Sequence, residues 1–200
     1  MNSPLFFIIK PKEKRYNNTK KIGDKDLVIN TEIQDHRFVS KEAVVISTPL
    51  IYIGDVKPGD EVMVHHNVFR RFNDVKGVEK NSKSYFKEDM YFCDIDQLFA
   101  YKTNNKWKAL DGFCFVKPIK KIQGNLMDQE TEEPLVGIVK IVDSSKTLKE
   151  EELVGFTPDS EFEFIIDNEK LYRVPLKYIS IKYEYQGNEK GYNPSWLQSG

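Results

Sequence analysis

The chain has 200 residues, 40% hydrophobic, 12% aromatic and 30% charged, with a formal net charge of -1. That apolar content excludes wholesale disorder, and the near-neutral balance supplies no global field for nucleic acid or an anionic membrane, so neither partner is expected. The length suits one large β domain or two of about 100 residues each. The apolar run Leu5-Phe6-Phe7-Ile8-Ile9 is far shorter than a membrane span and lacks the basic lead and cleavage site of a signal peptide, which predicts a cytoplasmic protein. Cys93 and Cys114 each sit inside a β-patterned run and are expected to be buried and reduced.

The first strand is expected from Leu5 to Lys10 and ends at Pro11, which cannot donate to a ladder. From Lys12 to about Phe38 the chain becomes rich in Lys, Asn and Asp and loses regular alternation. This predicts a long exposed loop, of a length that is usually functional or disordered. One apolar island interrupts it, Leu27-Val28-Ile29. Strands are expected at Glu42–Ser47 and Leu50–Ile53. Val56-Lys57-Pro58-Gly59-Asp60 is turn chemistry, proline presetting φ and glycine accepting positive φ. The Glu61–His66 run that follows and the Val68–Phe72 run after it predict a β-hairpin. A polar loop at 73–82 leads to strands at Lys83–Phe86, Met90–Cys93 and Leu98–Tyr101, the last two joined by an Asp94–Gln97 turn. Many short strands without a long amphipathic helix predict an all-β barrel or sandwich.

Thr103-Asn104-Asn105-Lys106 is a polar bridge. It places one domain at 1–105 and a second at 106–185, followed by a flexible tail at 186–200. The second domain echoes the first. Phe113-Cys114-Phe115-Val116-Lys117-Pro118 matches the opening strand closed by Lys10-Pro11, and Gly137–Val142 matches Ala43–Ile46. Pro158–Ile166 reads like the turn and strand at Val56–Val64, and Lys170–Lys182 aligns without a gap on Met90–Lys102. Matched segments in one order, separated by loops of different length, imply duplication.

Chemistry-bearing motifs are sparse. Adjacent residues on a strand face opposite sides, so His65 and His66 are not expected to share a metal, and His36 lies in the long loop. No phosphate-cradling glycine loop or nucleophile elbow occurs, so no catalytic residue, metal or cofactor is expected. Arg70 and Arg71 between Phe69 and Phe72 look locally like a single-strand nucleic-acid surface. An ordinary strand with solvated arginines explains them better. The Leu27-Val28-Ile29 island carries the most functional information, because three large aliphatic residues in a polar segment are unfavourable to expose unless a partner takes them up.

These features together resemble the GroES-type co-chaperonins, in a tandem two-unit form most like those associated with bacteriophages. The resemblance rests on the opening strand, the long loop with its aliphatic tripeptide, the Glu-Ala-Val-Val-Ile strand, Val-Lys-Pro-Gly-Asp-Glu-Val, and Met-Tyr-Phe-Cys-Asp-Ile-Asp-Gln-Leu-Phe-Ala-Tyr. It spans roughly Leu5–Lys102 and again Gly112–Lys182. It implies two tandem irregular β-barrels, self-association into a ring, and capping of an ATP-bound chaperonin in the cytoplasm, host cytoplasm for a viral protein. Leu27, Val28 and Ile29 would be the chaperonin contacts, and Leu126 and Met127 the second unit's weaker equivalent. The roof hairpin of a typical ring is shortened to Thr48–Gly54. The alternative is a non-catalytic β-barrel binding or structural module of the virion-associated kind.

Overall fold

The alternating pattern of Glu42–Ser47 becomes a strand that buries Ala43, Val45 and Ser47 and leaves the residues between them half-buried. The same logic builds the rest of the computed structural model, which describes residues 2–22, 25–28, 35–121, 131–184 and 189–198. The chain divides into two units, Met1–Lys106 and Trp107–Gly200.

The first unit contains β1 (Phe7–Pro11), β2 (Thr19–Ile22), β3 (Lys25–Val28), β4 (Glu42–Ser47), β5 (Glu61–Val64), β6 (Arg71–Asn73), β7 (Glu79–Asn81), β8 (Tyr85–Lys87), β9 (Met90–Cys93) and β10 (Leu98–Thr103). Its main sheet runs β10-β5-β4-β1-β9-β8. β2 pairs with β3, and β6 with β7, as separate hairpins. β11 (Lys106–Ala109) begins at the boundary. The second unit adds β12 (Phe113–Lys120), β13 (Glu132–Ile141), β14 (Leu153–Phe156), β15 (Phe162–Ile166), β16 (Glu169–Pro175) and β17 (Ile179–Tyr183). Its sheet runs β17-β14-β13-β12-β16-β15. Pairing within both sheets is antiparallel. Both strand orders have two ends among the described residues, so the fold is all-β and antiparallel without a closed hydrogen-bonded barrel.

The two orders are one topology, with β1, β4, β5, β8, β9 and β10 corresponding to β12, β13, β14, β15, β16 and β17. Irregularities repeat with it. A bulge separates the pairs Ile8↔Ser47 and Ile9↔Val45, and another separates Phe115↔Ile141 and Val116↔Val139. A second kind separates Leu98↔Val64 from Ala100↔Met63, matched by Ile179↔Phe156 and Ile181↔Gly155. A bulge bends a strand at a defined residue, so two shared bulges fix the register of the repeat.

The turn before β5 repeats as well, in different residues. The Lys57 N–H donates to Asp60 Oδ2 at 2.8 Å, and the Lys149 N–H to Glu152 Oε2 at 3.0 Å. The Gly59 N–H donates to the Val45 carbonyl and the Glu151 N–H to the Val139 carbonyl, both at 2.8 Å. Gly59 has φ +95°, which glycine adopts freely, whereas Glu151 takes φ +68° at a conformational cost. The counterpart of Val56–Val64 is therefore the stretch through Lys149–Phe156. The Pro158–Ile166 echo is a coincidence of turn chemistry, because β15 corresponds to β8. Pairing also puts Cys93 level with Phe7 and Val174 level with Cys114, one residue away from the gapless alignment of Lys170–Lys182 on Met90–Lys102.

Other expectations change locally. The 12–38 segment is not a bare loop, since it contains β2 and β3. Leu50 and Ile51 lie in a turn rather than a strand, with the Tyr52 ring packed edge-on against Phe7 at 4.8 Å. The described end of the chain is docked rather than frayed. The Tyr192 N–H donates to the Pro118 carbonyl at 2.7 Å, the Lys120 N–H to the Lys190 carbonyl at 2.7 Å, and Asn193 Oδ1 accepts from the Lys170 N–H at 3.0 Å. These residues meet β12 beyond Val116, where its pairing with β16 stops.

Phe7, Ile9, Val62, Val64 and Leu98 are fully buried in the first unit. Cys114, Val116, Val139, Val154 and Val174 form the core of the second. Cys93 and Cys114 are free and buried, and burial pushes both thiols up, Cys114 to about 12.

Candidate functional site

With the repeats aligned, the largest differences of the first unit are two insertions. The β1–β4 connection spans residues 12–41, whereas its counterpart spans 121–131. The β5–β8 connection runs from His65 to Ser84, against Thr157 to Glu161 between β14 and β15. Neither insertion is needed to make the shared sheet.

The two insertions pack on each other. The chain leaves and re-enters through a collar in which Tyr16 bridges Val39, the Asn17 N–H donates to the Phe38 carbonyl at 2.7 Å, and the Ser40 N–H donates to the Arg15 carbonyl at 3.0 Å. Arg15 then grips the second insertion. Its Nε donates to the Phe69 carbonyl at 2.5 Å, Nη2 to the Arg70 carbonyl at 3.1 Å, and Nη1 to Asn81 Oδ1 at 2.6 Å. Its guanidinium lies 5.2 Å from the centre of the Tyr91 ring. The Tyr16 hydroxyl accepts from the Arg71 N–H at 2.7 Å, and the Arg71 guanidinium sits 4.7 Å over the Tyr16 ring. Such charge-assisted bonds are stronger than neutral ones, so the collar is a firm base.

Beyond this collar β2 and β3 form the hairpin that pairs Thr19 with Val28 and Lys20 with Leu27. Leu27 and Val28 are each 54% exposed. Ile29, the third member of the island, lies outside the described residues, as do Leu126 and Met127.

The expected strand through His65 and His66 ends early. β5 stops at Val64, and His65 caps a 3-10 turn at His66–Val68 by accepting the Asn67 N–H on its Nδ1 at 3.1 Å. Opposite-face geometry therefore does not apply. His65 and His66 have ring centres 4.3 Å apart, and the His36 ring centre lies 5.1 Å from that of His66. The chain's three histidines thus converge at the base of the hairpin segment, a juxtaposition that no spacing in the sequence reveals. Among the described residues no group of three or more His, Cys, Asp or Glu side chains is placed to hold a metal.

Burial, then the positive groups His65, His36, Lys41 and Arg70, push the His66 pKa down to about 4. Between pH 6.5 and 4 the unfolded chain therefore binds a proton that the folded chain excludes, and stability rises with pH across that window. Thermal unfolding should show a falling midpoint as pH drops from 6.5 to 4, and His66→Gln should flatten that slope.

Arg70 and Arg71 differ in surroundings. Arg71 pairs with Glu79 at 2.8 Å. Arg70 lies beside Asn67, Phe72 and Ser82 around a cavity of about 370 Å³.

No protein-family model matches the chain, and no curated protein is significantly similar to it. Among the described residues no helix is long and apolar enough to cross a membrane. Functional inference therefore rests on the residues themselves.

Proposed function

We propose that the protein is a co-chaperonin built from two tandem GroES-like units, which assembles into a ring and caps an ATP-driven chaperonin. The observation that carries this reading is the β2–β3 hairpin, which presents Leu27 and Val28 to solvent from a collar fixed by Arg15 and Tyr16. Burying two such aliphatic side chains yields about 3–6 kcal/mol gross. That is weak for a single hairpin and strong for several copies linked in a ring. The shared strand order of the two units supports the tandem part of this reading. β17, an end strand of its sheet with Ile181 and Tyr183 exposed, is a surface on which chains can associate.

A second reading is a non-catalytic β module that holds another protein. It is favoured by exposed Leu50, Ile51 and Ile53, the last 99% accessible, which form an apolar surface away from the hairpin in sequence.

Native mass measurement separates the two. The co-chaperonin reading predicts a closed assembly of several chains, and a strictly monomeric protein at micromolar concentration would contradict it.

A further inference from the structure

The second insertion carries a feature that chaperonin contact does not use. Asn67, Arg70, Phe72 and Ser82 line an open cavity of about 370 Å³, within the range of about 300–1,000 Å³ occupied by small-molecule sites. Arg70 Nε is buried and has no hydrogen-bond partner among the described residues. A buried donor left unpaired costs free energy, so such a group calls for a physical account. The carboxylates of the same hairpin are engaged elsewhere, Glu79 with Arg71 at 2.8 Å and Asp74 with the N–H groups of Lys76 and Val78, each at 2.9 Å. Arg70 is the charged group of this cavity lining, so an anionic group is the ligand part that pairs with it.

The walls add two further kinds of recognition. Phe72 is 39% exposed and offers a ring face for stacking. Ser82 is fixed in place, its Oγ donating to the Val68 carbonyl at 2.6 Å and its N–H to the Arg70 carbonyl at 3.1 Å, and Asn67 adds a neutral amide to the lining. A cation, an aromatic face and a neutral amide in a cavity of this volume match a ligand with a phosphate at one end and a planar ring at the other. We propose that this cavity binds a nucleoside monophosphate, with the phosphate on Arg70 and the base against Phe72. A long nucleic-acid strand fits less well, because the chain's formal net charge of -1 supplies no extended field for a polyanion.

The site stands apart from the co-chaperonin reading and is tested on the intact protein. Adenosine monophosphate, inorganic phosphate, adenosine and a short oligothymidylate are titrated by calorimetry at low salt. The expected result is binding of adenosine monophosphate at least about tenfold tighter than that of phosphate or adenosine alone. Arg70→Met should weaken it by about tenfold or more, the loss expected for a charge-assisted contact. Phe72→Ala should weaken adenosine monophosphate and leave phosphate unchanged. Melting temperatures of both variants are measured alongside, and Ile53→Ser, at a fully exposed position outside the cavity lining, serves as a folded control that retains binding. No binding of adenosine monophosphate at millimolar concentration, or undiminished binding in a folded Arg70→Met, would overturn the proposal. Tighter binding of the oligothymidylate would overturn it in favour of a strand.

Discussion

Val28→Asp should abolish capture of the protein by an ATP-bound chaperonin while leaving its melting temperature and native mass unchanged. Val28 lies on β3, 54% exposed, so a carboxylate there remains hydrated in the free protein. In the complex the same residue would enter an apolar surface, losing about 1.5–3 kcal/mol of burial and adding the desolvation of a charge. A loss of about 3 kcal/mol lowers single-site affinity more than a hundredfold. Linked copies compound that loss, because each hairpin's contact depends on the others holding the ring in place. Val28→Ile should retain capture. Capture by the folded Asp variant at wild-type level would show that this hairpin does not make the contact.

Phe69→Ala should be the most destabilising of the substitutions considered, by about 3–5 kcal/mol. Phe69 is fully buried, and its ring meets Tyr91 edge-on at 4.8 Å, with Arg15 lying over the same tyrosine. Its carbonyl accepts from Arg15 Nε, so this residue joins both insertions to the sheet. Chemical denaturation should register the loss as a lower midpoint with an unchanged slope. A loss under about 1 kcal/mol would mean that the His65–Ser84 insertion is an appendage rather than part of the core.

The sequence made legible what depends on alternation. Strands at Glu42–Ser47 and Met90–Cys93 lie where period-two patterning puts them, since burial of one face imposes that pattern. Repetition was also legible, but its register was not. Lys57-Pro58-Gly59-Asp60 and Lys149-Glu150-Glu151-Glu152 make the same hydrogen bonds with almost no residues in common, because backbone N–H and C=O groups carry most of the turn. The conspicuous Pro158-Asp159 pair leads into β15, the counterpart of β8 rather than of β5. A two-residue periodicity also tolerates no slip, so an alignment displaced by one residue places Arg173 where pairing puts Val174.

The candidate site was legible only in part. Leu27 and Val28 stood out because large aliphatic residues are conspicuous in a polar segment. The collar did not, because Arg15 and Tyr16 act on backbone groups of Phe69, Arg70 and Arg71, more than fifty residues away. The histidine group was hidden for a related reason. A 3-10 turn replaces the strand after Val64 and brings His65 and His66 ring to ring, which strand periodicity forbids.

The measurement that bears most directly on the co-chaperonin account is retention of the wild-type protein on an immobilised chaperonin with and without ATP. The account predicts retention with ATP and release when the nucleotide is removed. Absence of retention under every nucleotide condition, with the chaperonin shown to be active on a known substrate, would contradict it.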